Sequence, residues 1–357
     1  MKPLRSVLLL LSVQTVLSLA AFGEAAPSPT AEAFRSGFAE KCKEAEKKSA
    51  AAVAGADGWY FLSAELRLLS VGQFWGDAAA KVCRSPKSEA ADPIPAIVDF
   101  QQKLKERGIE LLLVPVPPKA SIYPEKLLPQ LGKRTDDTDL YLRRFYDTLR
   151  ANGVDVLDLT PVFLKNRDDY GGNGPVFCKT DTHWSGAGCA LAAEAIAEKI
   201  KSKGISRAAD AKIARYDQQW DEVSIDGDLG SLLEPGAPKP EPEKLLVYTV
   251  SVRGTDAAVE PDANSPVLIL GDSHTLVFHD FLAKKAGLLD LLTPALGYAP
   301  DLIGIRGSGA TQVRKDLYRR AAKDKDWLAK KKIVVWCFTA REFTEADQGW
   351  QKLPVAK

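Results

Sequence analysis

Short apolar runs alternate with amphipathic stretches along most of this chain, and the alternation sets the fold class. Residues 27–57, rich in Ala, Glu and Lys, read as a surface helix after a leader, and residues 57–62 as a turn into a short strand. A Pro-containing break at residues 86–95 follows. Residues 97–107 have helical spacing closed by Gly108, and residues 109–116 form a near-continuous apolar strand closed by Pro117 and Pro118. Pro115 lies inside that run, so pairing is expected to end near it. Helices are expected at 140–151, 187–201, 276–285 and 311–322, and strands at 154–157, 267–270, 302–305 and 333–338. Residues 205–265, rich in Asp, Gly and Pro, read as loops and short strands. Strands alternating with helices make this an α/β chain whose parallel sheet is covered by helices on both faces.

The first residues break this rhythm. Lys2 and Arg5 precede an apolar stretch over 7–22, followed by Gly23, Ala25, Ala26 and Pro27. This is the layout of a signal peptide cleaved between Ala20 and Ala26, or of an uncleaved anchor, and either places the body of the protein in the periplasm or outside the cell. The expected organisation is a signal segment at 1–25, a helical and strand segment at 26–90 packing on the main domain, and the main domain at 91–357.

Charge narrows the partners. There are 48 Lys and Arg against 47 Asp and Glu, giving a net charge of +1 with no basic stripe, which argues against nucleic acid. Five cysteines match no zinc motif, and no metal or cofactor motif is found. In an exported chain Cys42 and Cys83 are the pair expected to form a bridge.

Two motifs carry the candidate chemistry. Asp181-Thr182-His183-Trp184 offers a base and, two residues away, a carboxylate to orient it. Gly271-Asp272-Ser273-His274-Thr275 follows the apolar strand at 267–270 and places Ser273 at the carboxyl edge of the sheet, where open α/β proteins bind ligands. Serine, histidine and aspartate are the parts of an acyl-transfer site: Ser273 as nucleophile, His183 as base and Asp181 as orienter. The Ser273 amide and a glycine amide from Arg306-Gly307-Ser308-Gly309, either Gly307 or Gly309, are the expected oxyanion donors. His274 and His279 are read as mainly structural, and Asp272 as a bond to its own turn. Trp184 has two readings, a wall of the acyl pocket or packing. Trp59, Phe74 and Trp75 are read as core ahead of sugar-stacking residues, Lys119 as solvent-facing ahead of site-facing, and Gly227-Asp228-Leu229-Gly230-Ser231 as a turn.

Gly271-Asp272-Ser273 with the later Gly309-Ala310-Thr311 resembles the first two signature blocks of the SGNH hydrolases. The Asp/His block, usually last, here comes first. That permuted order resembles the SGNH-like domain of the alginate O-acetylation proteins, the AlgX/AlgJ family. Gly58-Trp59-Tyr60-Phe61 and the stretch from Pro117 to Glu125 add to the likeness, which runs from about residue 55 to the C-terminus. The resemblance implies a three-layer, flavodoxin-like fold in circularly permuted order. It also implies an exported enzyme that moves acetyl groups onto polysaccharide hydroxyls, with a membrane acyltransferase partner as the expected source of acetyl. The usual asparagine block is missing, and Thr339-Ala340-Arg341-Glu342 stands there. Arg341 either takes the asparagine's place near the oxyanion or pairs with Glu342 or another surface acid.

Three functions therefore stand. The first is an O-acetyltransferase acting through acetyl-Ser273, the second an acetyl-esterase with the same triad, and the third a non-catalytic polysaccharide-binding subunit.

Overall fold

The run Glu110–Val116 (β3) is buried at every position after the first, and Ile333–Thr339 is buried throughout. Strands this apolar need cover on both faces, which a parallel sheet between helix layers provides. The computed structural model describes residues 29–133, 140–206 and 215–357; the apolar leader read at 1–25 lies outside them.

In chain order the strands are β1 (Ala52–Ala54), β2 (Tyr60–Leu62), β3, β4 (Asp155–Val156), β5 (Tyr216–Ile225), β6 (Glu243–Val252), β7 (Val267–Gly271), β8 (Asp301–Gly304) and β9 (Ile333–Thr339). Five of them form one sheet in the order β4-β3-β9-β7-β8, all parallel and flanked by helices. Counted from β7, this is the flavodoxin-like order 2-1-3-4-5, cut between its third and fourth strands and rejoined. The switch point of that order falls between β7 and β9, and a cleft opens at the carboxyl ends of such a pair.

Local chemistry explains the helix starts. Asp92 accepts the amide of Ile94 at 3.0 Å with Pro93 opening the helix Pro93–Lys105. Ser185, directly after the Asp/His motif, caps Gly186–Ser202 through the Gly188 amide at 3.2 Å. That helix opens on glycines because backbone crowds it: a Cβ on Gly186 would lie 2.2 Å from the Leu246 carbonyl oxygen, and one on Gly188 2.1 Å from that of Val176. The N-terminal helix Pro29–Lys47, the β1–β2 hairpin and the helix Ser63–Ser70 send Phe34, Phe38, Trp59, Phe61 and Leu66 into the same core as the sheet. Trp59 and Phe74 are thus core residues, and Trp75 packs partly buried against them.

Four expectations need correction. Residues 216–225 and 243–252 are two ten-residue antiparallel strands paired along their whole length. β5 is polar at most positions, so its pairing with β6, not an apolar period, makes it a strand. Residues 276–285 are not a helix: Phe278, Leu282 and Lys285 have φ of 62–64°, and the helix begins only at Leu288. The backbone bonds outside a helical ladder: Phe278 donates to the Phe281 carbonyl, Ala286 to the Phe278 carbonyl, and Val250 of β6 to the Lys285 carbonyl. Pairing also does not stop at Pro115. Even-numbered residues of β3 bond to β9, whose pairing runs through Val116; Pro115 faces the β4 side, where pairing covers only Leu112 and Leu113. Finally, Cys42 and Cys83 are not bridged. All five cysteines are free thiols, and the Cys42 thiol donates to the Ser63 carbonyl at 3.5 Å.

Candidate active site

β7 ends at Gly271, where a side chain would meet the Cys337 carbonyl oxygen at 2.0 Å, so the strand passes close beside β9 before turning. Asp272 closes the turn. Its Oδ1 accepts the His274 amide at 2.9 Å and its Oδ2 accepts the Thr339 amide at 2.9 Å, stitching the end of β7 to that of β9. Burial pushes its carboxyl up, but His274, the Thr339 amide and Arg341 outweigh this and hold it at about 2. Ser273 then opens a single 3₁₀ turn, half-buried, with its amide given to no acceptor among the described residues.

Ninety residues away in sequence, the Asp181 motif meets this turn. Ser273 Oγ lies 2.8 Å from His183 Nε2, and His183 Nδ1 lies 2.6 Å from Asp181 Oδ1. The same Oδ1 accepts the His183 amide at 3.0 Å, so Asp181 holds both ring and backbone of its partner. Burial raises the Asp181 carboxyl, yet the His183 hydrogen bonds and charge and the Asp228 amide keep it well below the usual carboxylate range. The arrangement can take a proton from Ser273 at Nε2 while Nδ1 stays fixed, as acyl transfer needs.

Two groups that sequence reading set aside hold this loop. Asp228, in the segment read as a plain turn, gives its amide to Asp181 Oδ2 at 3.0 Å. It also accepts the Thr182 amide at 2.8 Å and the Thr182 hydroxyl at 2.6 Å. Lys119 does not face solvent: it is 1% exposed, and its ammonium donates to the carbonyls of Asp181 at 2.5 Å, Tyr60 at 3.0 Å and Lys179 at 3.4 Å. The ligand-type atoms of Asp181, His183 and Asp228 lie within 4.8 Å of one another, but each is already bonded to its neighbours or to Ser273.

The remaining candidates separate. Trp184 is fully buried and stands edge-on to His274 at 5.3 Å, which makes it packing behind the site and not a pocket wall. His274 is itself buried, its ring 4.7 Å from that of His183, and burial lowers its pKa to about 4. His279 pairs with buried Asp290 at 2.8 Å at the start of the helix Leu288–Leu296, a structural role. Gly307 is exposed at φ 66°; Gly309, at φ 57°, sits against Glu342, whose carboxylate accepts the Ala310 amide at 3.2 Å. Neither glycine amide bonds to a triad residue. Arg341 pairs neither with Glu342 nor with a surface acid but with the buried Glu65, at 3.2 Å.

Glu65 and Phe281 were not singled out from the sequence. Phe281 packs edge-on to the His183 ring at 5.4 Å with the Arg306 guanidinium stacked on it at 4.1 Å. Glu65 did carry a signal: an acid among Leu66, Leu68 and Leu69 on a core-facing helix is costly unless paired.

A family model described as SGNH hydrolase-like domain, acetyltransferase AlgX, matches residues 52–340. A Pseudomonas aeruginosa protein named probable alginate O-acetylase AlgJ is 31% identical over 149 residues, 42% of this chain and 33% of that protein. The Pseudomonas putida protein of the same name is 29% identical over 250 residues, 67% of this chain and 60% of its own length. The chain therefore spans less than two thirds of either relative. Among solved structures, the O-acetyltransferase domain of Pseudomonas putida AlgJ matches with a TM-score of 0.59 at 22% identity, over 82% of this chain and 92% of that one. Pseudomonas aeruginosa AlgX matches at 0.57 and 16% identity, over 92% and 69%. These two likenesses establish the fold, and the family model, which takes in most of the chain, establishes descent: the chain belongs to the AlgX family of SGNH hydrolase-like domains.

Proposed function

We propose that this chain is an exported, serine-dependent O-acetyltransferase whose acceptor is a hydroxyl of an alginate-like polysaccharide. The observation that carries the reading is the relay Ser273 Oγ to His183 Nε2 at 2.8 Å and His183 Nδ1 to Asp181 at 2.6 Å, at the switch point of the sheet. The relatives, named alginate O-acetylase and O-acetyltransferase domain, support the acetyl group and the polymer.

His183 Nε2 takes the Ser273 proton as Oγ bonds to the acetyl carbonyl carbon. The tetrahedral intermediate collapses, the donor's oxygen leaves with the proton from His183, and acetyl-Ser273 remains. A sugar hydroxyl then gives its proton to His183 as it attacks the same carbonyl carbon. Collapse transfers acetyl to the sugar and returns the proton to Ser273. The Ser273 amide, with Gly307 or Gly309 on the loop after β8, supplies oxyanion donors. A membrane acyltransferase is the proposed acetyl source, in keeping with an apolar leader in the sequence. Among the described residues no helix is long and apolar enough to cross a membrane.

The test is release of acetyl from a chromogenic acetyl ester, with and without polysaccharide, by wild type, Ser273→Ala and His183→Ala. Both variants should lose about 10⁴-fold or more in kcat, and acetylated polymer should be detected by mass spectrometry only with wild type. Release that polymer does not divert to sugar would make the chain an esterase. Polymer binding without turnover, or turnover unchanged in both variants, would refute the triad reading.

A further inference from the structure

Glu65 is 2% exposed, in a helix that otherwise gives leucines to the core. A buried carboxylate persists only when charges and hydrogen bonds compensate it. Its Oε2 accepts the Lys119 amide at 3.0 Å, and its Oε1 accepts Nη1 of Arg341 at 3.2 Å. The same Nη1 donates to the Thr339 hydroxyl at 3.0 Å. Lys119 in turn holds the Asp181 carbonyl. One carboxylate from the N-terminal segment thus ties together the end of β9, the end of β3 and the loop that carries the triad acid.

Arg341 is placed by the same geometry. Gly271 pairs with Cys337, and two residues further on Ser273 has left the sheet while Thr339 is the last residue of β9, paired with Val116, its amide held by Asp272 Oδ2 directly before Ser273. Arg341 follows Thr339 by two more residues. Its Nε and Nη2 have no protein acceptor among the described residues, and its side chain is 20% exposed. The neighbouring carboxylates do not claim it: Asp272 is spent on the amides of His274 and Thr339, and Glu342 accepts the Ala310 amide. The guanidinium is anchored through one nitrogen, with its other donors uncommitted beside the nucleophile's turn.

We propose that Arg341 is a further catalytic residue, the cation that stabilises the oxyanion, and that Glu65 is the positioning residue that aims it. The proposal rests on the serine reading above. As Ser273 Oγ bonds to the acetyl carbon and its proton passes to His183, the carbonyl π pair moves onto oxygen. That oxygen faces the free N–H groups of Arg341. On collapse the pair re-forms the carbonyl and the leaving oxygen departs with the His183 proton. A fixed, partly buried cation needs no reorganisation at that moment, which is where such groups lower a barrier most.

The experiment compares ester turnover by wild type, Ser273→Ala, Arg341→Ala, Glu65→Gln and the double variant Glu65→Gln/Arg341→Ala, which leaves no stranded charge. Arg341→Ala should lose about 100-fold in kcat with KM changed less than about threefold. Guanidinium ion at tens of millimolar should restore about tenfold of that loss, a response that a purely structural ion pair would not give. Glu65→Gln should lose about tenfold, and the double variant no more than Arg341→Ala alone, because Glu65 acts through Arg341. A double variant that melts like wild type and keeps kcat within about threefold overturns the proposal, as does a loss that guanidinium leaves untouched. If Ser273→Ala is inactive while the Arg341 variants keep wild-type kcat, this inference alone falls; if Ser273→Ala stays active, the serine reading falls first.

Discussion

Replacing Gly227 with alanine should disable the triad without touching any of its members. Gly227 has φ −67° and ψ 144°, a conformation alanine adopts freely, so the perturbation is steric and not conformational. The added Cβ would lie 2.1 Å from the Thr180 carbonyl oxygen, 2.3 Å from its carbon and 2.4 Å from its hydroxyl. Reaching an ordinary 3.4 Å contact requires one of the two segments to retreat by about 1.3 Å. Both segments carry the support of the acid: Asp228 gives its amide to Asp181 at 3.0 Å, and Thr182 binds the Asp228 carboxylate at 2.8 and 2.6 Å. A displacement of that size takes the Asp228 amide out of hydrogen-bond reach and lets the Asp181–His183 pair turn. Misplacement by an ångström in a catalytic group costs about 100-fold in rate, and overpacking costs about 1–3 kcal/mol of stability. Turnover of a chromogenic acetyl ester, followed with a urea unfolding curve, measures both. A Gly227→Ala protein with kcat within about twofold of wild type and an unchanged midpoint would refute the claim that this loop holds the acid in place.

Three other substitutions probe the surroundings. Lys119→Met leaves the carbonyls of Tyr60, Lys179 and Asp181 without their shared donor. It should cost about 3–5 kcal/mol by urea unfolding, and a loss under about 1 kcal/mol would mean that the ammonium is dispensable. Trp184→Phe keeps most of the packing and removes an indole N–H that has no partner among the described residues; kcat should change less than about threefold, and a loss of 100-fold would return Trp184 to the acyl pocket. His274 is held neutral, its pKa lowered from 6.5 to about 4 by burial, with His183 and Arg341 adding to it. Between those values the unfolded chain binds a proton that the folded chain refuses, so stability falls as pH drops through this window, by about 1.4 kcal/mol per unit, and levels off below it. Urea midpoints at about pH 7 and pH 5 should therefore converge less in wild type than in His274→Gln, and an equal acid loss in both proteins would contradict this origin.

Much of the fold was legible because burial on both faces leaves a continuous apolar signature. β3, β7 and β9 are such runs, and their alternation with helices suffices for a parallel sheet. The hairpin of β5 and β6 was not legible, because a strand rich in Asp, Gln and Glu has no period of its own and exists through ten residues of pairing. Residues 276–285 failed in the opposite way. Their apolar spacing fits a helix, but the backbone takes left-handed conformations at Phe278, Leu282 and Lys285 and bonds to β6 and to itself outside a helical ladder, which local spacing does not reveal.

The sequence by itself determined the proposed reacting groups, since Ser273, His183 and Asp181 lie in short motifs where the chain's local geometry decides what each side chain can reach. Asp181 and His183 are two residues apart, and Ser273 follows a strand end. Only the tertiary structure decided that these motifs meet, because the helix Gly186–Ser202 that follows His183 packs against the helix Leu288–Leu296 that follows Ser273, across ninety residues of chain. It alone decided the supporting charges as well. Glu65, Lys119, Asp228 and Arg341 come from four separate segments, and only the folded chain brings the buried Glu65 carboxylate to the Lys119 amide and to Arg341, and the Lys119 ammonium and Asp228 to the Asp181 loop.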